Sequence, residues 1–315
     1  VLNEIFQFIA ANSQSLHSVV TGNTAYKTCL IIDLEDALQN ILSPSETPGI
    51  KESARKNVYE TVGRLDKNFD FTRTGIRINT IHSPEFEKDL HLLSVFNIQW
   101  ACIVLPKIES AAEVENYRKI FQQNGILYKE LLPVIETVKG LEKAEQIFFH
   151  APEKDYKRTF WGHHDYNLDA GLWPFVDNDS EMYWQLTARL INTLKHKGYG
   201  YINGPITKFN NSDFIKSVLY RTALLCGDGP FDQAALSYAQ VQTFNTYRAD
   251  MNTNPKLELI VQEKDEAGLA IETMRDFEKF YTVSRSFALD FSGRQFISPH
   301  QYLCAKRFLK KIEAA

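Results

Sequence analysis

The 315-residue sequence predicts an α/β fold, a TIM (β/α)8 barrel followed by a C-terminal helical extension. Two observations carry that expectation. Short apolar runs, each long enough for one buried strand, alternate with stretches of helical spacing, and they do so eight times. Successive runs also end in a polar group one or two residues past their last apolar side chain, which is where such a barrel keeps its chemistry. In Leu131-Leu132-Pro133-Val134-Ile135 the run stops at Glu136, and a helical pattern starts straight after it.

Residues 5–10 read as the first strand, and Asn12-Ser13-Gln14-Ser15 offers N-caps for a short helix before the second strand at 28–34. Two prolines and a glycine within 40–49 make a loop, after which apolar residues at helical spacing predict a helix over 50–65. Strand three is 75–78, followed by a helix over about 84–96. Strand four is 101–105, and its helix starts at Ser110 with Glu113 in capping-box register. The strand ending at Ile135 is followed by a helix over 138–149. Strand six, 159–161, runs into Gly162-His163-His164-Asp165 and an aromatic loop at 166–177, before a helix over 180–197. Residues 198–204 make strand seven, 212–225 its helix and 232–236 strand eight, which completes the number needed for closure. After Phe244 the sequence turns Asn- and Lys-rich, then predicts a helix over 263–282 and a tail, 287–315, ending in a basic helix. The expected division is a barrel over 1–250 and an extension over 251–315, packing on the barrel mouth or on a neighbouring subunit.

Net charge is −4 and the basic residues are dispersed, so no footprint for nucleic acid is expected. No apolar run approaches the length of a membrane span, and Val1-Leu2-Asn3-Glu4 lacks the basic region of a signal peptide; a soluble, cytoplasmic protein is the expectation. Cys29, Cys102, Cys226 and Cys304 are far apart and suit buried free thiols.

Glu136 and Asp165 come from the ends of consecutive strands, which lie about 4.8 Å apart, so their carboxylates can converge on one hard cation. Magnesium accepts one or two carboxylates and leaves positions for a chelating 2-oxo or 2-hydroxy acid. Arg77, on the rim of strand three, offers a planar fork for a substrate carboxylate or an enolate oxygen. Glu35 and Asp36 are placed to orient Arg77 and the metal waters, although Asp36 serves equally as a helix cap. Lys107 reads as a substrate contact or a surface lysine, and Gly162, His163 and His164 as the substrate-facing loop after strand six. The two histidines offer a metal pair, or one of them packs or donates a hydrogen bond, since adjacent side chains on an extended segment point opposite ways.

At these residues the chain resembles the HpcH/HpaI aldolase and citrate lyase beta-subunit family. The matching segments are Phe8-Ile9-Ala10-Ala11-Asn12, Ile31-Ile32-Asp33-Leu34-Glu35-Asp36-Ala37, Ala54-Arg55, Arg77-Ile78-Asn79 with Asp89-Leu90, Leu105-Pro106-Lys107-Ile108-Glu109-Ser110-Ala111, Ile135-Glu136-Thr137 with Gly140-Leu141, and Trp161-Gly162 with Asp165. The resemblance implies a TIM barrel holding magnesium through Glu136 and Asp165, with Arg77 on the substrate carboxylate or carbonyl. It implies reversible carbon–carbon cleavage of a small 3-hydroxy carboxylate, often an acyl-CoA thioester, giving a 2-oxo acid and an enolate-derived partner, in a homo-oligomer, trimer or hexamer. Four positions depart from the family pattern. His164 replaces an acid beside Asp165, Ser237-Tyr238-Ala239-Gln240 stands for His-Pro-Ser-Gln, and Ser298 stands where some members place a catalytic acid. Glu4-Ile5 replaces an Arg-Ser pair. These departures motivate a second reading, a catalytically altered barrel that binds metal and metabolite as a partner in a biosynthetic assembly. A third, magnesium enolate chemistry on a phosphorylated substrate, wants a phosphate cradle, for which Gly227-Asp228-Gly229 is the candidate.

Overall fold

A computed structural model describes residues 1–22, 28–150, 153, 155–227, 229–249, 265–281, 288–289 and 296–314. The eight apolar runs are parallel strands: β1 (Leu2–Ala10), β2 (Cys29–Asp33), β3 (Thr74–Arg77), β4 (Gln99–Leu105), β5 (Leu127–Ile135), β6 (Arg158–Trp161), β7 (Gly200–Asn203) and β8 (Phe231–Ala235). They pair in sequence order and close, β8 returning to β1, so no edge is left open. Register aligns the strand ends on one rim: Asp33 faces Arg77, and Ile135 faces Trp161.

Alternation along the strands divides the core in two. Phe6, Ile31, Val104, Leu132, Val134, Phe160, Ile202 and Ala234 fill the barrel, while Leu30, Ile32, Ile76, Ile103 and Ile135 face the helices. At the end away from the rim Arg158 closes the bottom, with Nη1 2.8 Å from Glu4 and 2.9 Å from Asp232, and Nη2 2.6 Å from Glu130. That network uses the carboxylate of Glu4, the residue that departs from the family pattern at the start of strand one.

Gly75 sits where a side chain has no room, since an added Cβ would lie 2.4 Å from Cys102 Sγ and 2.8 Å from Ile31 Cδ1. Its absence lets the Cys29 and Cys102 thiols approach to 3.9 Å. Gly75→Ala is therefore expected to destabilise the fold by about 1–3 kcal/mol through overpacking, read as a lower urea midpoint at unchanged slope. All four cysteines are free and buried.

The helices are α1 (Leu16–Gly22), α2 (Thr47–Gly63), α3 (Phe86–Ser94), α4 (Ala111–Gln123), α5 (Val138–Glu142), α6 (Ala144–Ile147), α7 (His163–Ala170), α8 (Glu181–Lys197), α9 (Ser212–Cys226), α10 (Tyr238–Ala249), α11 (Glu266–Phe280) and α12 (Pro299–Glu313). Three differ from the sequence expectation. The helix expected over 138–149 is two pieces, because the chain leaves helical geometry at Lys143 (φ −94°, ψ 7°). The loop expected at 166–177 opens as α7, which Gly162 starts and Gly171 ends in the left-handed region (φ 63°). A helix also follows β8, burying Val241, Phe244 and Tyr247 at a spacing of three that the polar composition around them masks.

The described part of the extension packs on its own barrel. Ala288–Leu289 (β9) and Phe296–Ile297 (β10) pair antiparallel; Phe296 stacks on Phe209 at 4.2 Å and its N–H donates to Thr207 O. Arg307 Nη1 on α12 donates to Leu168 O of α7 at 2.7 Å, and Tyr281 OH to Gln39 O at 2.7 Å. Residues 250–264, where the expected barrel boundary and the start of the expected helix fall, lie outside the described residues, as do 287, 290–295 and 315 of the expected tail. Among the described residues no helix is long and apolar enough to cross a membrane.

Candidate functional site

Asp33, the last residue of β2, organises the rim. Its Oδ1 accepts the Glu35 N–H at 2.9 Å and its Oδ2 the Ala37 N–H at 3.2 Å, which folds Glu35 and Asp36 back over the barrel end. Arg77, its register neighbour on β3, donates from Nε to Asp33 Oδ1 at 2.8 Å and from Nη2 to Asp33 Oδ2, a two-point grip that fixes the guanidinium plane. Nη1 donates to Asp36 Oδ2 at 2.9 Å and lies 3.3 Å from Glu35 Oε2. The structure thus brings Glu35, Asp36 and Arg77 together and adds Asp33, to which the sequence reading gave no role.

The next strands deliver the other half. Lys107, after β4, adopts a left-handed backbone (φ 55°); its N–H donates to Glu136 Oε1 at 2.8 Å. Its ammonium lies 3.0 Å from both Glu35 Oε1 and Asp165 Oδ1, so it is an internal counter-ion of the rim. Glu136, after β5, packs against Gly162, where an added Cβ would sit 2.5 Å from Glu136 Oε2. Asp165, on the first turn of α7, meets Lys107 on one oxygen and His300 Nε2 at 3.2 Å on the other. His164 lines the cavity edge-on to Phe175. His163 turns away from it: 1 % exposed, its Nε2 lies 3.1 Å from Asp177 Oδ1, and its ring stands against Tyr183. On the helical start of α7, in place of the extended segment the sequence suggested, the two imidazoles stay in contact, edge to face with centroids 4.4 Å apart.

These groups surround a mouth cavity of about 420 Å³ with one charged wall, including Asp33, Arg77, Glu136 and Asp165, and one apolar wall of Phe8, Val104, Val134 and Phe160. Burial, reinforced by the Asp36 charge, raises the Glu35 carboxyl to about 7. Burial and the Asp165 charge hold Glu136 well above the usual carboxylate range. Burial opposes ionisation of Asp165 as well, but His300 and Lys107 outweigh it and hold that carboxyl well below the range. Burial disfavours the His300 imidazolium, yet Asp165 lifts it to about 9. His164, with burial and the neighbouring His163 both against its charge, is pushed down to about 3 and is neutral.

Five carboxylates, Asp33, Glu35, Asp36, Glu136 and Asp165, face the cations Arg77, Lys107 and His300. Glu35 Oε2 is buried and accepts no hydrogen bond. Five carboxyl groups against three cations, with two of the carboxyls held back from ionising by burial and the neighbouring acids and one carrying an oxygen that accepts no hydrogen bond, are the donor chemistry a divalent cation satisfies, so the residues fit one. Asp36, Asp165 and His300 each offer a ligand atom within 4.8 Å of the others, and so do His163, His164 and Asp177.

Sequence reasoning missed two residues here. Asp33 carries a signal, since consecutive strands ending in Asp33 and Arg77 at matching positions form an ion pair. His300 carries none, because nothing local links it to Asp165 across the intervening chain. Ser298 caps α12, its Oγ accepting the Gln301 N–H at 3.1 Å, and Ser237 Oγ accepts the Gln240 N–H at 3.3 Å. Gly227 and Gly229 lie in the turn from α9 into β8, Gly229 O meeting the Val1 amine at the barrel's other end, away from the mouth; Asp228 lies outside the described residues.

A closed parallel eight-stranded barrel with its ionisable groups gathered on one rim defines a TIM-barrel protein with a polar site at the mouth. Residues 5–218 match the HpcH/HpaI aldolase/citrate lyase family, and the chain belongs to it. A citrate lyase subunit beta-like protein of Deinococcus radiodurans is 30% identical over 142 residues, which are 45% of this chain and 45% of that protein, so the match spans under half the length of that relative. RipC from Yersinia pestis superposes with a TM-score of 0.56 at 23% identity, covering 78% of this chain and 94% of that one. The citrate lyase beta subunit of Mycobacterium tuberculosis, complexed with oxaloacetate and magnesium, has a TM-score of 0.59 at 18% identity, covering 78% and 96%. CitE of the same organism with magnesium, acetoacetate and coenzyme A has a TM-score of 0.59 at 17% identity, covering 99% of both chains. At these identities the solved structures establish the fold.

Proposed function

We propose that the chain is a magnesium-dependent carbon–carbon lyase that cleaves or forms a small 3-hydroxy carboxylate, or its acyl thioester, giving a 2-oxo acid and an enolate-derived product. The observation that carries this reading is the convergence of Glu136 and Asp165 on the rim that also holds Arg77. Glu136 and Asp165 would hold the magnesium, whose contribution when bound is Lewis-acid polarisation of the substrate carbonyl. Its presence in complexes of the M. tuberculosis relatives supports the choice of ion.

The chain's own residues supply the rest. Three of the five N–H groups of Arg77 are committed to Asp33 and Asp36 and Nη1 also meets Glu35 at 3.3 Å, which leaves the second N–H of Nη2 for a substrate carboxylate or enolate oxygen. The bidentate grip of Asp33 holds that fork still, so little reorganisation is needed as charge develops. Phe8, Val104, Val134 and Phe160 keep water from the reacting carbon. Glu35, raised to about 7, is the acid poised to hold or return a proton near neutral pH. The test is magnesium-stimulated cleavage of 3-hydroxy acids or their thioesters, following the 2-oxo acid released. No cleavage across such a panel, with and without magnesium, would remove the proposal.

Metal-free stability should fall as pH rises. The folded pKa of Glu35, about 7, lies above its ordinary value of 4.5, so between those limits the folded state holds a proton that the unfolded state has released, and the free energy of unfolding drops with pH. Magnesium should reverse this, raising the melting temperature more at pH 8 than at pH 5. Equal shifts at the two pH values would contradict the assignment.

One observation favours binding without turnover: the Ser298 hydroxyl is spent as a helix cap and supplies no acid. Hydrolysis of malyl or citramalyl thioesters is accordingly expected at background; sustained release of free coenzyme A would count against this role for Ser298. Magnesium-dependent binding of a 2-oxo acid without cleavage of any adduct would favour the binding reading. Small carboxylates, with or without coenzyme A, a homo-oligomer and a boundary between barrel and extension near residue 250 belong to the same proposal.

A further inference from the structure

The rim offers a donor that no carboxylate pair supplies. His300 stands at the start of α12 behind Pro299 and the Ser298 cap, on a helix tied down by Arg307 to Leu168 O at 2.7 Å and by Tyr302 OH to Glu278 at 2.8 Å. Its imidazole is therefore delivered by a rigid element. Its Nε2 is 3.2 Å from Asp165 Oδ2. Two ligands each about 2.1 Å from one ion stand about 3.0 Å apart at a right angle and about 3.4 Å apart at the tetrahedral angle, a range that includes this separation. A hydrogen bond spans the same distance, and Asp36 brings an oxygen within 4.8 Å of both, which makes a three-donor corner of two carboxylates and one imidazole. Beside them Glu35 Oε2 is buried and accepts no hydrogen bond from the described residues, an oxygen turned to the same corner.

We propose that His300 and Asp36 join Glu136 and Asp165 in holding the rim's divalent cation, so that a nitrogen donor from the chain's own C-terminal helix tilts the site toward Mn2+ or Co2+ relative to Mg2+. The inference rests on the reading that Asp165 holds a cation at all. Imidazole is a good ligand for first-row transition ions once the entering cation displaces the Nε2 proton to solvent, whereas Mg2+ is held through carboxylates and retained water. His300 thus sets which ion stays, and it ties the order of the extension to the loading of the barrel.

Pulsed electron paramagnetic resonance on the full chain loaded with Mn2+ tests this without reference to turnover. The expected result is nitrogen modulation from a directly bound imidazole, absent in His300→Gln, together with at least about a tenfold loss of Mn2+ affinity and less than about a threefold loss of Mg2+ affinity. Bound Mn2+ without nitrogen modulation in the unmodified protein overturns the proposal, and that spectrum needs no variant to fold. Modulation that persists in His300→Gln also overturns it, pointing to His164, whose ring lies 6.0 Å from that of His300. In both cases Mn2+ affinity that still collapses in Asp165→Asn leaves the carboxylate reading standing. Mn2+ affinity indifferent to both Glu136→Gln and Asp165→Asn would remove that reading and the proposal with it.

Discussion

Asp165→Asn is expected to lower magnesium-dependent turnover by about a thousandfold or more, because a Lewis acid supplies several kcal/mol of charge stabilisation and each 1.4 kcal/mol is tenfold in rate. The substitution is nearly isosteric. An asparagine oxygen can still accept from Lys107, which lies 3.0 Å from Asp165 Oδ1, so the rim keeps its shape while losing the charge. Two readouts should move with activity. Magnesium should no longer raise the melting temperature, since a ligand stabilises only through the site it binds. His300 should lose the partner that lifts it to about 9, and its imidazole resonances should titrate at lower pH. A variant retaining both turnover and magnesium stabilisation would show that the cation is held elsewhere.

The second large effect belongs to Arg77. Replacement by lysine keeps one positive charge but gives up the planar fork, and with it the two-point grip of Asp33 on a side chain that lines the cavity. A loss of about a hundredfold to a thousandfold in kcat/KM is expected, the size seen when one positioned donor to a developing oxyanion is removed. Arg77→Met should in addition destabilise the fold by about 3–5 kcal/mol, because Asp33 and Asp36 would stay buried without their principal cation. Stability measured by urea unfolding separates the two substitutions. If the lysine variant keeps full kcat/KM, Arg77 is an internal counter-ion and not a substrate contact.

The barrel and the half of the site that follows its strands were legible because the information is local. Ile135 ending in Glu136, Cys29–Asp33 leading to Glu35 and Asp36, and Gly75 leading to Arg77 each place a polar group at a strand end, and strand order then puts those ends on one rim. What was not legible depends on contacts between distant parts of the chain. Lys107 read equally as a surface residue; only the fold shows its ammonium between Glu35 and Asp165. For His163 and His164 the sequence left open a metal pair or one packed, hydrogen-bonded imidazole; only the fold shows His163 on Asp177 and His164 at the cavity, with the two rings still 4.4 Å apart. His300 reaches the rim only because α12 packs on α7, and no spacing rule within either helix announces that contact.

Crystals grown or soaked with Mn2+ and measured at a wavelength where manganese scatters anomalously give the most direct test. The account requires one strong anomalous peak on the barrel rim, within bonding distance of Asp165 and Glu136 and on the side that faces Arg77. A well-occupied peak anywhere else on the molecule, or none at saturating Mn2+ with the rim fully ordered, would contradict it.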